Sequence, residues 1–148
     1  MDTVGYWLFK QEPSVYNYSQ LEKEKKTVWD GVTNNLALKH LRSVANGDSI
    51  FFYLSGSEKS IVGIMRSVSG PRTDTSIKGK SSLVVVDVEP VIKLAKPVSL
   101  EAIKQHPLFA SWELVRISRL SVMPVPQTMW DKILELGNTV IPDKRMVL

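Results

Sequence analysis

Apolar residues fall in short runs separated by proline, glycine and asparagine, and the period of each run predicts an element. Residues 6–10 are aromatic and apolar and read as a buried strand, which Gln11-Glu12-Pro13 closes because proline cannot donate to a ladder. Ser19 and Glu22, three apart, predict a capping box before a short charged helix to about Lys25, with Leu21 as its apolar anchor. Residues 27–32 predict a second strand. Thr33 and Asn34 then offer side-chain caps to a helix whose Leu38, Leu41 and Ala45 recur at helical spacing, and Asn46-Gly47-Asp48 stops it.

Residues 49–55 and 61–68 predict two strands joined by a turn of hairpin length, and residues 83–93 a third, rich in valine. Between the last two, residues 69–82 are polar and rich in Gly and Lys, which predicts an exposed, mobile loop where Arg72, Lys78 and Lys80 face only Asp74. Ser99 caps a helix holding Leu100 and Ile103 that ends at Pro107. Residues 119–125 read as a strand, and Met129, Trp130, Ile133 and Leu134 place a last helix after Pro126.

Short strands with helices at the edges predict one α+β domain over residues 1–148, a small mixed barrel. A doubly wound nucleotide-binding sheet is excluded, because the chain has neither G-x-G-x-x-G nor G-x-x-x-x-G-K-[ST]. Composition adds that 43% hydrophobic residues suit an ordinary globular chain, while no stretch approaches the ~20 apolar residues of a membrane span. The first residues do not read as a secretory signal, so a cytoplasmic protein, nuclear in a eukaryote, is expected. The net charge of +4 allows a polyanionic partner without requiring one.

The chemistry available is narrow. Without cysteine there are no disulfides, thiolate metal sites or thiol nucleophiles. His40 stands beside basic residues on a helix and His106 at a helix end, which favours surface or capping roles. Asp87 and Glu89, two apart on a strand, share one face and read as solvated carboxylates facing lysines. Neither a metal nor a cofactor is expected. What remains is aromatic and amide chemistry: Trp29 precedes Asp30, Gly31 and the Asn34-Asn35 helix start, so an indole, amides and free backbone N–H groups converge. That set suits a nucleobase, held by stacking and by hydrogen bonds to its edge. Trp29 as plain core, with Asn34 as plain N-cap, fits the same spacing; Trp7 and Trp130 read as core. Asp30 is expected to bond the N–H groups of its own turn.

The runs Tyr6-Trp7-Leu8-Phe9-Lys10-Gln11-Glu12-Pro13, Trp29-Asp30-Gly31-Val32, Phe52-Tyr53-Leu54-Ser55, Ile61-Val62-Gly63-Ile64, Val86-Asp87-Val88 and Arg119-Leu120-Ser121-Val122 together resemble the EVE domain family, in order and over nearly the whole chain. The resemblance implies a PUA-like pseudobarrel flanked by short helices, related to YTH, ASCH and PUA domains. It also implies recognition of nucleic acid, modified bases above all, without enzymatic activity. Similarity to YTH domains makes Trp29, with Asn34 and Asn35, one wall of a base cage. By the same resemblance Lys10, Gln11, Val32, Tyr53, Ser55, Arg119 and Ser121 line or rim the pocket. The chain departs from the family pattern at Gln11, Thr33, Asn35, Leu54, Leu83 and Val84, the last two standing where the family has an aromatic pair. Arg72, Lys78 and Lys80 are expected to contact phosphate, and the protein is expected to be a monomer. A protein-interaction module and a nucleoside-binding accessory domain with a degenerate pocket are the alternatives.

Overall fold

Trp7, Leu8 and Phe9 are consecutive and all buried, as a strand covered on both faces requires, and β1 (Tyr6–Gln11) lies inside the sheet with a neighbour on each side. The computed structural model describes residues 5–74 and 83–142. β1 runs parallel to β3 (Ser49–Leu54), from Tyr6 opposite Ser49 to Gln11 opposite Leu54, and antiparallel to β7 (Val122–Pro124). Antiparallel pairs continue through β4 (Ser60–Ser67) to β6 (Val84–Ser99) and then β2 (Thr27–Trp29), giving the order β2-β6-β4-β3-β1-β7. A two-residue β5 (Arg72–Thr73) adds to β6.

The helices are α1 (Tyr18–Glu24), α2 (Asn35–Arg42), α3 (Leu100–Lys104), α4 (Glu113–Arg116) and α5 (Gln127–Leu136). α5 seals one end of the core, where Trp130 stacks on Phe51 with ring centroids 3.8 Å apart and on Tyr6 at 4.6 Å. Trp7 and Trp130 are core residues, as the spacing predicts.

Several boundaries differ from the sequence expectation, each for a physical reason. The cap of α1 is Asn17, whose side chain accepts from the Gln20 amide at 3.0 Å while the Gln20 side chain accepts from the Asn17 amide at 3.1 Å. Ser19 instead lies inside the helix, its hydroxyl 2.6 Å from Asn17 Oδ1. The earlier start gives α1 a second anchor: Tyr18 is buried, its hydroxyl donates to the Ile64 carbonyl at 2.6 Å, and its ring lies where a Cβ on Gly63 would come within 2.5 Å. α2 ends at Arg42, so Ala45 is exposed and Val44 is buried in its place.

β6 continues past Lys93 to Ser99. It carries Pro90 opposite Met65, beside a break in register where a ladder donor is dispensable. β2 stops at Trp29 because Gly31 turns the chain with φ +78°. The segment before β7 forms a 3-10 turn (Pro107–Phe109) and α4, which bury Phe109, Trp112 and Leu114; only Val122–Pro124 of residues 119–125 is strand.

Within residues 69–82, Arg72 and Thr73 pair with Val85 and Val84 on β6, so the expected loop is strand there. Arg72 faces Asp87 at 2.8 Å, not Asp74 alone, and Arg66 lies 3.6 Å from Glu89. The two carboxylates of β6 are thus engaged by arginines where lysines were expected. Lys78 and Lys80 lie outside the described residues.

Candidate functional site

Because β1 and β3 are parallel, both deliver their C-terminal ends to the same edge of the sheet. The Ser55 amide donates to the Gln11 carbonyl at 2.9 Å, and the Lys10 amide donates to the Ser121 carbonyl at 2.9 Å, which ties the approach to β7 to the same place. Beyond these ends, closed on one side by the turn after β2, is a cavity of about 400 Å³. That is within the range of small-molecule sites, about 300–1,000 Å³.

Lys10, Gln11, Trp29, Val32, Ser55, Arg119 and Ser121 line this cavity, seven of the residues that the family resemblance grouped. Tyr53 does not. It lines an adjoining cavity of about 240 Å³ together with Lys10 and Ser55. Asn34 and Asn35 are exposed and line neither. Asn34 Oδ1 accepts from the Ala37 amide at 3.0 Å, so that oxygen is committed to capping α2. Arg72 is also away from both cavities, held by Asp87.

Three lining residues were missed, Glu12, Gly31 and Ser118, and a fourth, Asp30, was given a different role. Glu12 could have been found, since it follows directly on the strand end that places Lys10 and Gln11. Asp30 was expected to bond its own turn, yet it is exposed and forms no hydrogen bond among the described residues. Its carboxylate is available to a ligand.

Trp29 is 3% exposed, with Phe9 at 5.4 Å and Phe52 edge-on at 5.5 Å between ring centroids. It is packed in the core and at the same time forms part of the cavity wall. Lys10 Nζ donates to the Ser118 carbonyl at 2.9 Å and stands 5.6 Å from the Tyr53 ring centroid. Burial lowers the pKa of Lys10 and raises that of Tyr53. Gln11 Oε1 accepts from the Glu12 amide at 3.0 Å, which leaves the Gln11 NH₂ free to donate. Arg119 is exposed and has no partner among the described residues. The cavity therefore offers cationic and amide donors beside carboxylate acceptors.

A larger cavity, about 480 Å³, lies between the β3–β4 turn and α3, with no aromatic residue in its lining. Neither histidine lines any of these three cavities. His40 packs 6.3 Å from Trp7 and His106 5.6 Å from Phe109, centroid to centroid. Among the described residues no three His, Asp or Glu side chains are grouped to hold a metal ion, and no helix is long and apolar enough to cross a membrane.

Comparison with known proteins gives concordant results. The family model described as EVE domain matches residues 5–136. Thymocyte nuclear protein 1 of Rattus norvegicus is 32% identical, across 89% of this chain and 73% of its own length. A crystal structure from Agrobacterium tumefaciens superposes with a TM-score of 0.87 at 30% identity, covering 95% of this chain and 100% of that one. Human THYN1 protein, in complex with 5-methylcytosine containing DNA, superposes with a TM-score of 0.82 at 25% identity, covering 92% and 99%. The mixed sheet with short flanking helices is the α+β, PUA-like pseudobarrel that the resemblance implied.

Proposed function

This chain belongs to the EVE domain family, and we propose that it is a nucleic-acid-binding module that takes one extruded base, a modified one above all, into the cavity at the ends of β1 and β3. The observation that carries this is the lining itself: Trp29 in the wall, Lys10, Gln11 and Arg119 as donors, and Glu12 and Asp30 as carboxylate acceptors without side-chain partners among the described residues. A base is flat and neutral and has both donors and acceptors on its edge, so it can use all three kinds of group. Carboxylates accept from exocyclic amino groups, which favours cytosine or adenine over thymine. The DNA bound by the human THYN1 protein contains 5-methylcytosine, an amino-bearing base.

The role is binding without turnover. No histidine lines the cavity, the chain has no cysteine, and the exposed carboxylates Glu12 and Asp30 have no side-chain partner among the described residues to position them for proton transfer. The module acts as a monomer in the cytoplasm, or in the nucleus of a eukaryote.

The test is fluorescence anisotropy with single-stranded DNA carrying one 5-methylcytosine, one cytosine, one thymine or one abasic site at the same position. The 5-methylcytosine strand is expected to bind most tightly and the abasic strand most weakly. The logarithm of affinity should fall with the logarithm of salt concentration by about 0.7 per phosphate contact. Mass spectrometry of the recovered strand should show it unchanged. Equal affinity for the abasic and 5-methylcytosine strands would exclude a base pocket, and a chemically altered strand would exclude the non-catalytic role.

A further inference from the structure

The cavity that holds Tyr53 shares Lys10, Ser55 and Ser118 with the base cavity, so the two adjoin along one wall. Three lysines line it, Lys10, Lys59 and Lys104, and no carboxylate does. They arrive from three elements. Lys10 is in β1, Lys59 closes the β3–β4 turn with φ +43°, and Lys104 is the last residue of α3. A hydrogen bond of 2.8 Å from the Leu100 amide to the Lys59 carbonyl fixes the turn against the start of α3. Lys59 and Lys104 are both exposed, and no ion pair engages either one among the described residues. Lys59 and Lys104 also line the 480 Å³ cavity, where Glu58 and Glu101 stand, but among the described residues no ion pair joins either carboxylate to any of the three lysines.

Three like charges around about 240 Å³ repel one another unless an anion lies between them. Partial burial of Lys10 adds a desolvation cost that an anion would also offset. Tyr53 and Ser55 line the same space; the Ser55 hydroxyl makes only a long 3.4 Å contact to the Gln11 carbonyl, which an oxyanion would displace. We propose that this cavity holds a phosphate group, supplied by the backbone of the nucleic acid whose base occupies the adjoining pocket. The base assignment is the premise for the source of the phosphate, whereas the phosphate site itself rests on the three lysines. Lys10 and Ser55, on the shared wall, then touch both the base and the phosphate of the bound strand. This track replaces the phosphate role expected of Arg72, which is held by Asp87.

Two experiments decide it. In the first, inorganic phosphate is titrated into ¹⁵N-labelled protein. The amides of Ser55, Lys59 and Lys104 should shift in the intact protein and stay still in the double variant Lys59→Gln/Lys104→Gln. Both lysines are exposed, and an unchanged amide spectrum elsewhere shows that the variant is folded. In the second, single-stranded DNA with one 5-methylcytosine carries a neutral methylphosphonate at the linkage on its 5′ or its 3′ side. One of the two is expected to bind about tenfold more weakly than the all-phosphate strand, the loss of one charge-assisted contact. The double variant should bind both neutral strands and the all-phosphate strand alike.

If the double variant binds the all-phosphate strand as tightly as the intact protein does, the backbone assignment is overturned. Phosphate shifts without any effect of the neutral linkages assign the cavity to free phosphate instead, which also overturns the backbone source. If no strand binds at all, the base reading fails, and the phosphate titration alone then decides the anion site. Absence of shifts at those amides removes it.

Discussion

Trp29→Ala is expected to lower the free energy of unfolding by about 3–5 kcal/mol, the usual cost of deleting a large buried aromatic side chain. The indole is 3% exposed and touches rings from two other strands, Phe9 of β1 and Phe52 of β3. Removing it opens a void in the core between β2 and the Phe9 and Phe52 rings of β1 and β3. The same side chain lines the base cavity, so loss of binding in the alanine variant would not separate packing from recognition. Trp29→Phe keeps a ring against Phe9 and Phe52 and is expected to retain most of the stability while weakening the 5-methylcytosine strand. Urea denaturation checks the first statement and anisotropy the second. A loss below about 1 kcal/mol in Trp29→Ala, a typical surface-scale effect, would mean that the indole is a surface platform rather than core.

Asp48→Ala should be comparably damaging, by about 3–5 kcal/mol, because it strands three donors that the carboxylate now satisfies. Asp48 is 5% exposed. Its oxygens accept from the Gly5 amide at 2.9 Å, from Trp7 Nε1 at 2.9 Å and from the Ala45 amide at 2.8 Å. The residue thus joins the chain before β1, the β1 core tryptophan and the end of the α2 segment. A Cβ on Gly5 would come within 2.7 Å of the carboxylate, which shows how closely the corner is packed. Asp48→Asn keeps the shape but replaces one acceptor oxygen with a donor, so it is expected to recover part of the loss. Equal urea midpoints for wild type and Asp48→Ala would contradict this role.

Neither role is visible in a single run of sequence. Asn46-Gly47-Asp48 reads correctly as a helix stop, but two of the three donors that Asp48 satisfies, the Gly5 amide and Trp7 Nε1, come from more than forty residues away and meet it only when β1 and β3 pair. The strands themselves were legible, because β1, β3 and β4 are dense in β-branched and aromatic residues and bounded by turn formers. Their edges were less so. Asn17 and Ser19 are both good caps, and only the burial of Tyr18 decides between them. Pro97 hides the continuation of β6 past Lys93, since a proline normally argues against an inner strand.

At the site, the resemblance grouped Lys10, Gln11, Trp29, Val32, Ser55, Arg119 and Ser121 where geometry also groups them. Asn34 and Asn35 were grouped by nearness in sequence. The positive φ at Gly31 and the start of α2 follow Trp29 directly, and Asn34 caps the helix instead of lining the cavity. Lys59 and Lys104 escaped notice because nothing local links a turn lysine to one at a helix end. Only the adjacency of the β3–β4 turn and α3 brings them to Lys10.

The central claim is that a base enters the cavity at the ends of β1 and β3. The most direct measurement is amide chemical-shift mapping of ¹⁵N-labelled protein with the 5-methylcytosine strand, repeated with the abasic strand. Shifts at Gln11, Gly31, Val32, Ser55 and Ser121 that appear with the 5-methylcytosine strand and vanish with the abasic one are the expected result. Shifts of equal size with both strands, or shifts confined to other faces of the sheet, would contradict it.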